Sequence, residues 1–520
     1  MKKRRFAILA SAAMFLFSPV CLLADGNTGQ EGVGNGYRQD IEYLFDLIEQ
    51  TNLNVDIRAA LYGLDFDEIK AQYLCQADSV EDYLECYALV SKILSRFHDP
   101  HMSVEDPYGT YWLEHDDLEA KERYEMLRST VSVRRALRNS FGGYRSRMRS
   151  YVEGRWINGR FYMSDYLMLL SGGNYWALFP GTEVLAVDGK PVGESRKGLA
   201  DSGFSMMMYS AEEGELYSPY LFYDKGLLLS PSPGDTLRVE REGTSKGYIF
   251  GNATDDEEMP LVYYFKEDGL LYVRMPSMDT RYLSYYKRKL SRIRRQPVEK
   301  VIVDVRGNDG GDDAAWHGLL SLLMDRDLDV PVSLAVEKSS LTEGFLKTPN
   351  RAGCLWDEYE GKIKDTVFPF LPDTPVFLLS DTLRIERSRQ SLDFGGKIIV
   401  LFDGMCFSST LAMLSHLNKF PDCFLTMGYP NGFIGGAGLA PFEFKLPYSK
   451  IVFRMADCVE INAPSSVEDL MNNRPMLPVE MEVNDLRLRG LGIQQGSLYS
   501  KAWLARYDRL FRMARALPLE

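Results

Sequence analysis

A serine stands between an apolar strand pattern and a helix pattern in the last third of the chain. The run Ile398–Phe402 is continuous and apolar, which is typical of a strand covered on both faces, and Asp403 with Gly404 supplies a turn. A helix pattern begins just after Ser408, so the serine would lie at a helix N-terminus, where unpaired backbone amides accompany its hydroxyl. Two roles fit this position: a helix N-cap, which is the commoner use of serine, and a catalytic nucleophile.

A glycine-rich turn follows another predicted strand, Val301–Val305. Gly310 and Gly311 would let backbone amides approach an anion closely, as an oxyanion hole requires. A plain glycine turn fits equally well. A phosphate loop does not, because no Gly-Lys-Ser/Thr sequence follows and the neighbours Asp309 and Asp312 are acidic. Together with Asp313, these acids could also be the paired carboxylates of a polysaccharide-cleaving enzyme, but the dipole of the following helix explains them more simply.

Two of the five histidines stand close together at the end of a helical stretch. They are His98 and His101, on either side of the helix-stopping Pro100. Imidazole titrates near neutral pH, so His101 would serve as a general base if the fold brings it to Ser408. Their separation along the chain does not exclude this pairing, since triad partners occur in many chain orders.

The spacing of apolar residues changes twice along the chain. It is helical at first, then short and strand-like between glycines and prolines, and finally strands alternate with helices, which predicts a largely parallel sheet. We therefore predict a multi-domain α/β protein. Its parts are a signal peptide (1–24), a flexible leader (25–36), a helical N-terminal domain (37–147), a small β-rich module (151–255), an α/β core (261–490) and a C-terminal helical segment (491–520).

Individual elements of the α/β core can be predicted from the same pattern. The predicted strands are Leu270–Met275, Val301–Val305, Val376–Leu379, Ile398–Phe402 and Phe424–Met427, and the predicted helices are Tyr282–Arg295, Ala314–Leu323 and Ser409–Leu417. In such folds functional residues gather where strands end and helices begin.

Composition and the N-terminal residues limit partners and location. A net charge of -13 argues against a nucleic-acid partner, which needs clustered basic residues. The charged start, the apolar run Phe6–Phe17 and the small or apolar residues up to Ala24 predict a secretory signal peptide, hence export to the periplasm or medium. A lipid anchor at Cys21 is not expected, because Val20 is not the small residue that normally precedes a lipidated cysteine. We predict no integral membrane span, no metal site and no cofactor.

Several segments, taken together, resemble the tail-specific or C-terminal-processing serine peptidases and the tricorn core protease. The most specific is Asp304–Gly311, which is close to the family's Asp-x-Arg-x-Asn-x-Gly-Gly. The other matching segments, in chain order, are Asp99–His101 (Asp-x-His), Pro180–Val192 (the core of a PDZ module), Gly269–Met278 (the strand that opens the protease core), Met405–Ser409 (the nucleophile segment) and Gly428–Gly432 (a Gly-Glu-Pro-x-Gly turn).

This resemblance implies a secreted serine endopeptidase that acts on peptides or unfolded protein tails. Ser408 would attack the carbonyl, and the oxyanion would be bound by the amide of Ser409 and that of Gly310 or Gly311. In the PDZ-like module, the resemblance implies that Gly181 and Val184 contact the substrate.

The sequence departs from the family in its base and its acid. The lysine expected after the Gly-Glu-Pro turn is absent, since Phe433–Gly436 stand there, and the tricorn-like branch instead implies His101 as base. The acid of that branch precedes a Pro-Asp element that this chain lacks, and Glu468 is the nearest candidate. Two functions therefore stay open: an active serine peptidase, and a catalytically degenerate relative that only binds peptides or partner proteins.

Overall fold

The structure is a computed structural model. Several sequence-based predictions concern residues outside the segments that it describes, namely those on the signal peptide with Cys21, on residues 105–147, on Phe433–Gly436 and on Glu468. The described segments are residues 36–99, 101–104, 150–165, 167–171, 174–195, 208–210, 215–217, 220–223, 226–231, 234–240, 259–347, 362–429, 442–456, 458–461 and 474–518.

Four helices form the described N-terminal part, followed by the short strand β1 (Ser103–Val104). Residues at helical spacing, such as Ile41, Leu44 and Ile48, bury one face of the first helix. Asp65 caps the third helix, its side chain accepting the Glu68 amide at 2.9 Å. The helices are α1 (Gly36–Thr51), α2 (Leu53–Tyr62), α3 (Phe66–Ala77) and α4 (Tyr83–Arg96).

Antiparallel strands between residues 150 and 240 make up a β-rich module. Asp188 and Gly189 both have positive φ (51° and 84°), which suits the tight turn between two of these strands. The strands are β2 (Ser150–Ile157), β3 (Arg160–Met163), β4 (Leu167–Ser171), β5 (Asn174–Leu178), β6 (Glu183–Val187), β7 (Lys190–Pro191), β8 (Met208–Ser210), β9 (Glu215–Tyr217), β10 (Tyr220–Tyr223), β11 (Gly226–Ser230) and β12 (Leu237–Glu240), and helix α5 (Val192–Ser195) follows β7. The main sheet has the order β10-β2-β3-β6-β11-β12, with β7 on β6, and the pairs β4-β5 and β8-β9 stand apart.

A six-stranded sheet is the centre of the α/β core. Its first strand runs antiparallel to the second, and all other neighbours are parallel. In spatial order the strands are β13 (Leu261–Phe265), β14 (Leu270–Arg274), β15 (Lys300–Asp304), β19 (Ile398–Phe402), β20 (Phe424–Gly428) and β24 (Leu477–Pro478). The predicted α/β class with a largely parallel sheet is confirmed.

Helices cover both faces of this sheet. Successive residues of one strand point to opposite faces, so Val303 contacts one helical layer and Ile302 the other, and each such buried side chain contributes roughly 1.5–3 kcal/mol. The first layer contains α6 (Leu283–Ile293), α7 (Asp313–Leu323) and α9 (Ser409–Leu417). The second belongs to the C-terminal helices α10 (Val483–Gln494), α11 (Lys501–Arg506) and α12 (Arg509–Ala516).

The remaining strands form two antiparallel sheets beside the core. Val376–Leu379, predicted as a strand of the α/β core, lies instead within a 15-residue strand of the first of these sheets. That sheet has the order β17-β18-β16-β23, from β16 (Leu328–Glu337), β17 (Ile363–Phe368), β18 (Leu371–Ile385) and β23 (Cys458–Glu460), and helix α8 (Ser340–Lys347) follows β16. The second sheet has the order β1-β22-β21, with β21 (Phe442–Lys445) and β22 (Val452–Met455).

This second sheet fixes the N-terminal helices to the rest of the protein. Ser103 pairs with Arg454, and apolar residues of α1 and α4 share one core with β21 and β22. The turn between α4 and β1 is therefore held against a part of the chain about 350 residues later. No described helix is long and apolar enough to cross a bilayer.

A buried ionic network joins the C-terminal helices to the central sheet. The Arg306 guanidinium, just after β15, donates to both carboxylate oxygens of Asp304 and to both of Asp508, with the shortest distances 2.6 Å in each case. Asp508 also caps α12 by accepting the Phe511 amide at 2.9 Å. Paired bidentate contacts of this kind satisfy a charge that would otherwise be costly to bury.

We expect Asp508→Ala to lower the free energy of unfolding by about 3–5 kcal/mol, because Arg306 keeps only one of its two buried carboxylates. As a matched control, Asp65→Ala removes an exposed helix cap without touching a buried charge and is expected to cost about 1 kcal/mol. Urea unfolding followed by tryptophan fluorescence measures both variants. Equal losses would contradict the anchoring role of the network.

Candidate active site

Ser408 occupies a strained turn between β19 and α9. Its φ of 53° and ψ of -125° are uncommon for a residue other than glycine. The carbonyl of Ser408 accepts the amides of Leu411 (2.8 Å) and Ala412 (3.0 Å), so its backbone begins the helix. Its side chain makes no capping hydrogen bond to the helix. The hydroxyl is therefore left for another partner, and the residue is nearly buried, at 8% exposure.

That partner is His101. Its Nε2 lies 3.4 Å from the Ser408 Oγ, although 307 positions separate the two residues in sequence. The imidazole packs on the ring of Phe407, with 4.6 Å between the ring centroids and 29° between the planes. The residue before the serine thus fixes the orientation of the histidine, and the structure brings together the predicted nucleophile and base.

Asp99 lies on the other side of the imidazole. Its Oδ1 accepts the backbone amide of His101 at 2.9 Å and is 3.6 Å from the His101 Nδ1. Burial raises the pKa of Asp99, but the charge of Arg58, whose Nη2 is 3.9 Å away, and the contacts with His101 outweigh it and lower the pKa to about 2. A buried, ionised carboxylate therefore faces the histidine.

Asn308 holds the glycine-rich turn against the serine turn. Its carbonyl accepts the Phe407 amide at 3.1 Å, its Nδ2 donates to the Met275 carbonyl at 3.0 Å, and its Oδ1 accepts the Gly310 amide at 2.9 Å. The amide of Gly310 is thus occupied within its own turn. Among the described residues no acceptor is found for the amides of Gly311 and Ser409.

The approach of the two turns is so close that a side chain at Gly310 is excluded. A Cβ there would lie 2.7 Å from the Ser408 Cβ and 2.8 Å from the Phe407 carbonyl oxygen. Gly310 and Gly311 also have positive φ, 105° and 134°. Both the space and the backbone conformation require glycine at position 310.

The other predicted site residues lie elsewhere. Val184 is completely buried in the core of the β-rich module, and the Gly181 amide donates to the Met163 carbonyl at 2.8 Å. The space beside Gly181 is filled by the Arg487 side chain of α10. A substrate contact by either residue stays a prediction, as does the likeness of the module to PDZ, and Glu468 lies outside the described segments.

Sequence patterns identified some supporting residues and missed others. Asp99 stood in the Asp-x-His motif but was not considered as the acid, although its two-residue distance from His101 in a turn was a usable signal. The sequence did not indicate that Arg58 contacts Asp99, because Arg58 lies in α2, far from Asp99 along the chain. Within the described segments, no group of His, Cys, Asp or Glu side chains is arranged to hold a metal ion.

A cavity of about 590 Å³ adjoins the two turns. Gly307 and Asp403 of the turns line it, together with Arg155 of the β-rich module and Arg489 of α10. Charges of both signs therefore face a space enclosed by the module, the carboxyl edge of the central sheet and the C-terminal helices.

Known proteins support the family resemblance. Residues 269–419, which contain the glycine-rich turn and Ser408, match the family model Peptidase family S41. No curated protein sequence matches the chain.

Solved structures of CPAF share the overall fold. A CPAF point mutant gives a TM-score of 0.54 at 13% identity, covering 93% of this chain and 99% of that chain. Mature CPAF gives 0.52 at 14% identity, with 91% and 98% covered, and mature CPAF complexed with lactacystin gives 0.51 at 14% identity, with 89% and 97% covered. The part of the chain that carries the glycine-rich turn and Ser408 thus matches the model of peptidase family S41, and the chain as a whole shares the fold of the CPAF structures.

Proposed function

We propose that this protein is a serine endopeptidase that cleaves peptides or unfolded protein tails, with Ser408 as nucleophile and His101 as general base. The observation that carries the proposal is the 3.4 Å distance between the His101 Nε2 and the Ser408 Oγ. Such contacts are often long in a free enzyme and shorten when substrate binds. The predicted signal peptide would place this activity outside the cytoplasm.

Each half of the reaction uses the same two side chains. As the Ser408 Oγ bonds to the scissile carbonyl carbon, its proton passes to the His101 Nε2, which then donates it to the departing amine. Water next attacks the acyl-enzyme, gives a proton to the same nitrogen, and the proton returns to Oγ as the acid product leaves. No further cofactor is required for this sequence.

Asp99 would stabilise the imidazolium that forms in each step. It is ionised at neutral pH because its pKa is held at about 2, and its Oδ1 lies 3.6 Å from the His101 Nδ1. A carboxylate beside the nitrogen that does not react keeps the imidazole in the correct orientation. Glu468 stays a second candidate for this role.

Two backbone amides are positioned to bind the oxyanion. We assign Gly311 and Ser409, since the Gly310 amide already donates to Asn308. The Ser409 amide begins α9, where the helix dipole adds positive potential. Removing one such donor in a hydrolase lowers kcat about 10²–10³-fold.

The cavity beside the turns has room for part of a peptide chain, and it begins at Gly307 and Asp403 rather than at Ser408 or His101. Its volume of about 590 Å³ is within the usual range for ligand pockets. A substrate chain that runs from Ser408 past Asp403 would lie between the core and the β-rich module. The charged and polar groups of the substrate, including a chain terminus, would meet charges of both signs there.

Fluorophosphonate labelling tests the nucleophile. We expect the wild-type protein and the control Ser284→Ala, an exposed serine in α6, to label equally, and Ser408→Ala to remain unlabelled. His101→Gln should reduce labelling and hydrolysis of a denatured protein about 10²–10⁴-fold, because the hydroxyl loses its base. In-gel fluorescence and peptide release are the measurements.

Two outcomes would count against the proposal in different ways. Equal labelling of wild type and Ser408→Ala would mean that another residue reacts. A folded wild-type protein that shows neither labelling nor Ser408-dependent hydrolysis would instead favour the catalytically degenerate alternative.

Gly310→Ala tests the contact between the turns. Its Cβ must displace Ser408, and a shift of about 1 Å in a reacting group can lower kcat about 10²-fold. Gly159→Ala is the matched control: a turn glycine with a positive φ of 72° and open space around the new methyl group, outside the lining of the cavity. We expect Gly159→Ala to lose stability but keep a kcat close to wild type, and equal kcat losses would show that backbone strain, not the contact, is responsible.

A further inference from the structure

The residue after the nucleophile has a hydroxyl that points away from the reaction. The Ser409 Oγ donates to Oδ1 of Asp313, the first residue of α7. The same oxygen accepts the Trp316 indole N–H at 3.1 Å. Ser409 and Trp316 are both buried, so they enclose this carboxylate. The proposed reaction mechanism makes no use of Asp313.

The Ser409–Asp313 hydrogen bond is a further link, besides that of Asn308, between the two chain segments that carry the proposed oxyanion donors. Asp313 stands two residues after Gly311, and Ser409 itself supplies the other amide. The carboxylate lies at the N-terminus of α7 and contacts the first residue of α9. A change at Asp313 would therefore alter the distance between the two donors rather than the serine or the histidine directly.

Further charges surround this carboxylate. The Trp316 ring stacks on that of His416 in α9, with centroids 5.9 Å apart, and the His416 Nε2 lies 2.5 Å from Glu460 Oε1 in β23. Both members of that pair are only 5% exposed. His317, next to Trp316, has its pKa lowered to about 3 by burial and by the charge of His416, so it is neutral.

We propose that Asp313 is a positioning residue for the peptidase reaction proposed above: as a carboxylate it holds Ser409 and keeps the two oxyanion donors in place, and its protonation weakens this hold. The proposal rests on the proposed function. It names a group that acts through Ser409 and does not touch the substrate.

The pKa of Asp313 is close to neutral pH, so a modest change of pH alters the charge of its side chain. Burial and then the charge of Glu460 raise its pKa from 3.8 to about 6, while hydrogen bonds from Ser409 and Trp316 and the charge of His416 oppose the rise. Above pH 6 the carboxylate accepts a charge-assisted hydrogen bond from Ser409, and below pH 6 the neutral acid accepts a weaker one. The reaction should therefore slow as the pH falls through about 6.

The indole N–H of Trp316 provides a direct reporter. In ¹⁵N-tryptophan-labelled protein, with Trp316→Phe used for assignment, we expect this signal to titrate with a midpoint near pH 6 and the titration to vanish in Asp313→Asn. Ser409→Ala should raise the midpoint, because the Ser409 hydrogen bond lowers the pKa of Asp313. A titration that persists in Asp313→Asn arises from another group and would overturn the proposal.

A double-mutant cycle tests the effect on catalysis. Ser409→Ala and Asp313→Asn should each lower kcat roughly 10–100-fold at pH 8, the size of one charge-assisted hydrogen bond, with KM unchanged. The double variant should be no slower than either single variant, and Ser409→Thr, which keeps the hydroxyl, should recover most of the activity. Additive losses, or losses confined to KM, would overturn the positioning role.

The two proposals fail in distinguishable ways. If the folded wild-type protein shows no Ser408-dependent hydrolysis, the proposed function fails and the role of Asp313 in it fails as well. If hydrolysis is present but the cycle is additive, only the role of Asp313 is overturned.

Discussion

The site depends on one constraint: two turns approach so closely that position 310 has no room for a side chain. A Cβ at Gly310 would fall 2.7 Å from that of Ser408, and Asn308 fastens the same two turns through its carbonyl and its side chain. Because Ser408 adopts a strained backbone, it needs neighbours that hold it there. The glycine-rich turn supplies them.

The topology of the central sheet makes this approach possible. β15 and β19 are parallel neighbours, so the turns that follow them leave the same edge only about 5 Å apart. Arg306 then ties the first turn to the C-terminal helices through Asp304 and Asp508, which prevents it from moving outward. A different pairing positions the histidine. Because β1 pairs with β22, the turn before β1, which contains His101, is held next to the serine turn.

Local patterns predicted the elements of the site well. The strand Ile398–Phe402 and the helix Ser409–Leu417 coincide with the structure, because a continuous apolar run and a helical repeat are properties of adjacent residues. The placement of Val376–Leu379 in a separate antiparallel sheet could not be predicted, since strand pairing depends on residues far apart in sequence. For the same reason the sequence could not show that Arg58 of α2 approaches Asp99.

The geometry of Ser408 bears on the two roles that its position allowed. A serine that serves only as a helix cap accepts a backbone amide with its side chain and needs no unusual backbone angle. Ser408 differs on both counts. Its side chain accepts no helix amide, its backbone has the unusual φ of 53°, and its hydroxyl faces an imidazole. Strain of this kind costs on the order of 1–3 kcal/mol and yields no helix stabilisation in return. A role as helix cap alone therefore leaves this conformation unaccounted for, whereas the proposed role as nucleophile accounts for it, because the oxygen must then face a base and remain open to a carbonyl.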